Sequence, residues 1–256
     1  MSFEDVKQPV AIANRILSEV GLATGLRSSL GHSSMRVPEA PDRFIVKGRG
    51  YQMDALPRML PEDMIVCDLE GNKVEGPQGA TQCFEVKMHS CIYKTHPEVQ
   101  SVTHVHPQYI ILMSVLAPAL VPMCQEGVQL VSRPLPVYPH VKTIQTDEEG
   151  MEVATLMGDS KAILLEGHGA ATTGRSLEES VMNMLQLEEQ AKMNYLAYCA
   201  DGPNHRRISA ESVAEMQGRT PLNELPHFKD SMSERRPAGG GGGVWMFYSE
   251  IVGQGM

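Results

Sequence analysis

Basic residues are scarce in this chain: 22 Lys and Arg stand against 31 Asp and Glu, for a net charge of −9. Without a basic patch, nucleic-acid phosphates would be repelled, so no nucleic-acid partner is expected. The basic residues are scattered, but one or two arginines can reverse the field inside a cleft, and a small anionic substrate is compatible with the balance. Cysteine is also sparse. The five (Cys67, Cys83, Cys91, Cys124, Cys199) are odd in number and form no CxxC pair, which argues against a disulfide framework and against a zinc ribbon. No apolar run reaches the length needed to span a bilayer, so no membrane segment is expected. Met1 to Asp5 opens with no charged region leading into an apolar one, so the expected location is cytoplasmic. No internal repeat is visible.

What remains is an ordinary globular profile, 256 residues with 42% hydrophobic and 21% charged, enough for one α/β domain with a sizeable core. Helical spacing predicts a helix over Val6 to Glu19, ended by Gly21. Ser29 to Val37 and Arg43 to Lys47 read as strands joined by a Pro38 to Asp42 turn, and Met64 to Asp68 begins a hairpin through Glu70-Gly71-Asn72. Helices are expected over Glu85 to Thr95, Gln108 to Leu116 and Asp147 to Leu156. The last is opened by Thr146 with acids beside the positive end of the dipole. Strands are expected at Ser101 to His106, Val128 to Val131, Leu135 to Tyr138 and Ala162 to Leu165. The longest helix runs from Leu177 to Leu196 behind the capping residue Ser176, and a shorter one spans Ala210 to Gln217. Residues 1–220 then form one catalytic domain. Residues 221–256 form a flexible tail, with five glycines at Gly239 to Gly243 followed by the aromatic cluster Trp245, Phe247 and Tyr248. That cluster is expected to pack over the site mouth or on a neighbouring subunit.

Chemistry concentrates in three histidines. In Thr103-His104-Val105-His106-Pro107 two imidazoles lie two residues apart, and side chains at i and i+2 of a strand share a face. About sixty residues on, Gly167-His168-Gly169 follows the apolar strand Ala162 to Leu165, and its glycines allow a tight turn with the ring projecting from it. Three imidazoles plus a carboxylate, with a position left for water or substrate, is the layout of a catalytic metal site. The candidate ligands are His104, His106, His168 and Glu85. Such a set suits one divalent ion per subunit, Zn2+ or Mn2+ ahead of Co2+ or Fe2+.

These motifs resemble the class II aldolase/adducin family. Phe84 to Tyr93, His96 to Val99, Val102 to Pro107 and Leu164 to Gly169 carry the resemblance, which covers roughly Val6 to Leu196. It implies an α/β fold, a three-layer α/β/α sandwich around a largely antiparallel sheet. It further implies a homotetramer with sites at subunit interfaces, and a Glu85 that serves as fourth ligand or as acid/base. Sugar-phosphate members typically carry Gly-Asn-x-Ser early and a Ser-rich stretch before the acid. Here those positions read Gly31-His32-Ser33-Ser34 and Thr81-Gln82-Cys83-Phe84, which removes hydroxyl donors that a phosphate needs. Gly-His-x-Ser-x-Arg, with Arg36 and Pro41 to Phe44, is instead similar to the branch of dihydroxyphthalate and hydroxypyridine-dicarboxylate decarboxylases.

The leading expectation is therefore a metal-dependent, non-oxidative decarboxylase of a hydroxylated aromatic or heteroaromatic (di)carboxylate. The metal would chelate adjacent substrate oxygens and accept charge as CO2 leaves. Glu85 is the first candidate for the proton donor, with a metal-bound water or His32 second. Arg49, between Gly48 and Gly50, is the candidate clamp for a second carboxylate, and Ser34 and Tyr248 are further candidate substrate contacts. His89 stands four residues after Glu85 on the same helical face and is expected to be structural, with a hydrogen bond to the acid or a ligand as its alternative. Two other readings are an aldolase or epimerase acting on a non-phosphorylated hydroxy-carbonyl compound, and a non-catalytic adducin-like scaffold.

Overall fold

In the computed structural model, residues 3–116, 119–221, 224–228 and 242–254 are described. The glycine run expected as a linker lies for the most part outside them. Helix α1 (Phe3–Glu19) leads to the hairpin β1 (His32–Val37) and β2 (Ala40–Lys47), then to β3 (Met64–Asp68), β4 (Lys73–Glu75), α2 (Val86–Thr95) and β5 (Ser101–Val105). After these come α3 (Gln108–Val115), β6 (Val137–Tyr138), α4 (Asp147–Met157), β7 (Ala162–Leu165), β8 (Gly169–Gly174), α5 (Leu177–Asp201), α6 (Ala210–Gln217) and α7 (Gly243–Gly253).

The eight strands form one sheet in the order β4-β3-β2-β1-β5-β8-β7-β6, and every neighbouring pair is antiparallel except β6 with β7. Alternation along the strands divides the buried residues between two faces. Ile45, Val105, Leu164 and Ala170 join Val10, Ile16, Met113 and Leu187 in a core shared with α1, α3 and α5. Phe44, Val46, Val102, Ile163 and Leu165 join Met88, Ile92 and Val153 under α2 and α4. Helices thus cover both faces, giving the three layers expected.

Several local expectations change. The first hairpin turns at Pro38-Glu39 alone, because β2 already pairs from Ala40 against Val37. Val128 to Val131 is turn rather than strand, and of Leu135 to Tyr138 only Val137 and Tyr138 join the sheet. Strand β8 was not anticipated. Its sequence, Gly-Ala-Ala-Thr-Thr-Gly, has no large apolar residue to mark it, yet all six residues are buried. Small side chains let α5 come close: the Ser180 hydroxyl meets Ser101 at 2.7 Å and Thr103 at 3.0 Å, and Thr172 donates to the Ser180 carbonyl. This hydroxyl layer backs the centre of the sheet opposite the histidines.

Candidate metal centre

Strand register brings the site together. His32 on β1 lies directly across from His104 on β5. Even-numbered residues of β5 face α2, so His104 points to the start of that helix, where Glu85 is the N-cap. His106 follows on the same face, just past the strand end. The β7–β8 hairpin turns through Glu166-Gly167-His168, with Leu165 paired to Gly169 and Gly167 at φ +66°, a conformation that glycine adopts without strain. That turn projects His168 back over β5.

The ligand atoms of Glu85, His104, His106 and His168 all lie within 4.8 Å of one another, the one such group among the described residues. His104 Nε2 is 2.9 Å from Glu85 Oε2 and 2.9 Å from His106 Nε2, and His168 Nε2 is 3.4 Å from Glu85 Oε1. Glu85 Oε1 also accepts from the Ile144 N–H at 3.2 Å. On its other side His104 Nδ1 lies 2.8 Å from the Ala170 carbonyl, which can only accept. Nδ1 therefore donates to that carbonyl, and Nε2 is left facing a carboxylate oxygen and a second imidazole nitrogen. Lone pairs crowded so closely repel unless positive charge sits among them. The donor set thus fits a divalent cation.

Electrostatics point the same way. Burial alone would raise the Glu85 carboxyl, but His104, His168 and the Ile144 N–H outweigh it and hold the group down at about 2. Burial followed by the neighbouring His104 lowers His106 to about 2 and His168 to about 4, so both rings are unprotonated at neutral pH. His32 is lowered well below its ordinary value, first by burial and then by His89 and His104.

The other sequence candidates divide. His32 stands beside the cluster, with Nε2 3.9 Å from Glu85 Oε2. Arg49 is outside the four-residue group: its guanidinium lies over the Phe84 ring at 4.1 Å and pairs with Asp54 at 3.1 Å, and its backbone bridges Thr81. Ser34 is corrected from a substrate contact to a buried one, since its hydroxyl is fully covered and taken up by His89 and Tyr93 at 2.7 Å each. Tyr248 is on α7, packed with Trp245 against the α1 side of the core, and does not join the cluster. Arg36 clasps the Val99, Pro41 and Tyr93 carbonyls. A groove between residues 125–136 and 156–161 contains none of the four ligands.

Sequence reasoning passed over Lys47 and read His89 as structural. Lys47 is fully buried at the end of β2, held by Asp54 at 2.9 Å and the Ser29 carbonyl at 3.1 Å, and its charge is felt at His32 and Cys83. A lysine inside a β run, Phe-Ile-Val-Lys, was the available signal. His89 is wholly buried, with Nε2 2.6 Å from His32 Nδ1, and its four-residue spacing from Glu85 was the clue.

A mostly antiparallel sheet between helical layers, with three histidines near strand ends converging on a glutamate at a helix start, defines an α/β scaffold with a candidate metal centre. Residues 8–195 match the Class II Aldolase and Adducin N-terminal domain, and the chain belongs to that family. It is 27% identical over 205 residues to the 3,4-dihydroxyphthalate decarboxylase of Arthrobacter keyseri, covering 77% of this chain and 80% of the relative. To the 3-oxo-tetronate 4-phosphate decarboxylase of Pectobacterium atrosepticum it is 31% identical over 137 residues, 52% of this chain and 61% of the relative. Among solved structures, the L-fuculose 1-phosphate aldolase of Glaciozyma antarctica superposes with a TM-score of 0.73 at 22% identity, over 97% of this chain and 88% of that one, a likeness of fold.

Proposed function

We propose that this lyase, a class II aldolase-like decarboxylase, acts on a hydroxylated aromatic or heteroaromatic carboxylate and depends on a divalent metal held by His104, His106, His168 and Glu85. The observation that carries the reading is the platform beside Glu85. The exposed Phe84 ring, one residue before Glu85 in the chain, lies under the Arg49 guanidinium, which pairs with Asp54, so an apolar ring and a cation suited to a carboxylate are held together on that segment. Cys83 is a buried thiol that burial pushes up to about 12, so this position brings a phosphate no hydroxyl donor. When bound, the metal would supply Lewis acidity toward adjacent hydroxyl and carboxylate oxygens.

Glu85 is ionised at rest and, released when the substrate binds, would take the proton of a substrate hydroxyl and return it to carbon. As the bond to the carboxylate breaks, its electron pair stays on the ring carbon, CO2 leaves, and the Glu85 proton closes the new C–H bond. Arg49 would hold a second carboxylate, and Lys47 would add positive field from below. The apolar Val115, Val141 and Phe84, exposed around the site, support closure of its mouth by another copy in a homotetramer.

The deciding experiment measures CO2 release from 3,4-dihydroxyphthalate and hydroxypyridine dicarboxylates, beside retro-aldol assays on hydroxy-carbonyl compounds and decarboxylation of phosphorylated oxo acids. Metal-dependent CO2 release from the aromatic set is expected. Cleavage of hydroxy-carbonyl compounds alone would replace this reading with the aldolase one, and a folded protein with no divalent-ion affinity would favour a scaffold.

A further inference from the structure

Helix α3 is tied to two of the ligand-bearing segments, one at each end. It begins two residues after His106, behind Pro107 as N-cap. Pro107 makes no side-chain cap, so the first N–H groups of the helix need an acceptor from elsewhere in the fold. Glu188 on α5 supplies it: Oε1 accepts from the Tyr109 N–H at 3.0 Å and Oε2 from the Ile110 N–H at 2.9 Å. A carboxylate here also complements the positive end of the helix dipole.

At the other end, the Ser114 hydroxyl donates to the Ile111 carbonyl at 2.8 Å and accepts from the Gly167 N–H at 3.0 Å. Both directions are forced, because a backbone N–H can only donate and a carbonyl can only accept. Gly167 immediately precedes His168, in the turn that projects that ring over β5. Between the two anchors Ile110 and Met113 are buried in the core with Leu187, and α3 packs on α5, β7 and β8. From Tyr109 to Ser114 the helix rises about 7.5 Å. A short rod held at both ends thus links the segment carrying His106 to the turn carrying His168, whose rings meet edge to face with centroids 4.5 Å apart.

We infer that α3 is a strut that sets the spacing of His106 and His168, with Glu188 and Ser114 as the positioning residues that anchor its ends. The inference rests on the metal-centre reading for its consequence: affinity for the ion depends on two side chains outside the ligand group.

Two readouts test it. In the metal-stripped protein, amide hydrogen exchange reads the strut alone. Ser114→Ala should speed exchange at Gly167 about tenfold, and Glu188→Ala should do so at Tyr109, Ile110 and, through the helix, Gly167. In the metal-loaded protein, zinc affinity from chelator competition should fall about ten- to a hundredfold in either variant, and the visible spectrum of the cobalt form, which reports ligand geometry, should change. Ser114→Thr keeps the hydroxyl and Glu188→Gln keeps one acceptor, so both should lie closer to the wild type. Combining Ser114→Ala with Glu188→Ala should cost less than the product of the single losses, because one break already frees the strut. Asn194→Ala is the control for a merely structural role: its side chain, on the same helix as Glu188, bonds the Val121 N–H at 3.1 Å and carbonyl at 2.9 Å. That variant should lower thermal stability and leave zinc affinity and the cobalt spectrum as in the wild type. Unchanged zinc affinity in Ser114→Ala and Glu188→Ala, losses that simply multiply, or equal losses in Asn194→Ala overturn the inference. Should Glu188→Ala not fold, Ser114→Ala, at a partly exposed residue, decides with Glu188→Gln. Coupled exchange in a protein that takes up no divalent ion would sink the metal-centre reading and leave the strut standing.

Discussion

Replacing Gly169 by alanine should loosen metal binding without removing any ligand. Gly169 opens β8 directly after His168, and its backbone is compatible with alanine. A Cβ there would nonetheless stand 2.3 Å from the Val105 carbonyl oxygen and 3.0 Å from the His106 Cα. Carbon and oxygen normally approach no closer than about 3.3 Å, so β5 and β8 must part by about 1 Å at the level where His106 meets His168. Overpacking of this kind costs about 1–3 kcal/mol of stability. The larger effect falls on the site, because a displacement of about 1 Å can cost on the order of a hundredfold in rate, and disturbed ligand support about ten- to a hundredfold in affinity. Competition for zinc against a chromogenic chelator measures the affinity, and thermal unfolding of the metal-free protein measures the stability. Gly243→Ala is the control, since an added Cβ there meets nothing within 4 Å. If Gly169→Ala binds zinc within twofold of the wild type, the reasoning from close strand approach to ligand geometry fails.

Other expectations follow from the same geometry. Glu85→Gln should keep most of the metal, since three imidazoles remain, while turnover falls at least a hundredfold; full activity at equal metal content would remove its acid/base role. Arg49→Ala should raise KM for a dicarboxylate at least tenfold and alter a monocarboxylate little, whereas equal effects on both would exclude the clamp. Glu188, which accepts from the Tyr109 and Ile110 N–H groups at the start of α3, is lifted by burial to about 7 from an ordinary 4.5 despite those donors. A raised carboxyl lends its stability in full below 4.5 and loses it as pH rises through 7. The denaturation midpoint should therefore fall from pH 5 to 8, and less steeply in Glu188→Gln; parallel profiles would refute the assignment.

The convergence of His104, His106, His168 and Glu85 was legible in the sequence because HxH on a strand and a glycine-flanked histidine after one leave few alternatives. The helices beginning at Val86, Asp147 and Leu177 were legible too, through caps and periodicity. What escaped was set by tertiary contacts. Strand β8 is marked only by small residues whose meaning is the close approach of α5, invisible until both are placed. Ser34 was read as a candidate substrate contact, yet α2 covers that face and His89 takes up the hydroxyl. Lys47 looked like the polar end of a strand, but Asp54, seven residues on, folds back to neutralise it. Tyr248 followed a flexible stretch, and its aromatic face found α1 within the same subunit.

The central claim is that imidazoles from two stretches of chain close on one divalent ion. Zinc titration of the metal-stripped protein, compared with its His104→Ala and His168→Ala variants, tests it most directly. One equivalent per chain is predicted, with binding weakened at least a hundredfold in either variant. Failure of the wild type to take up zinc, manganese or cobalt, or undiminished uptake by both variants, would contradict it.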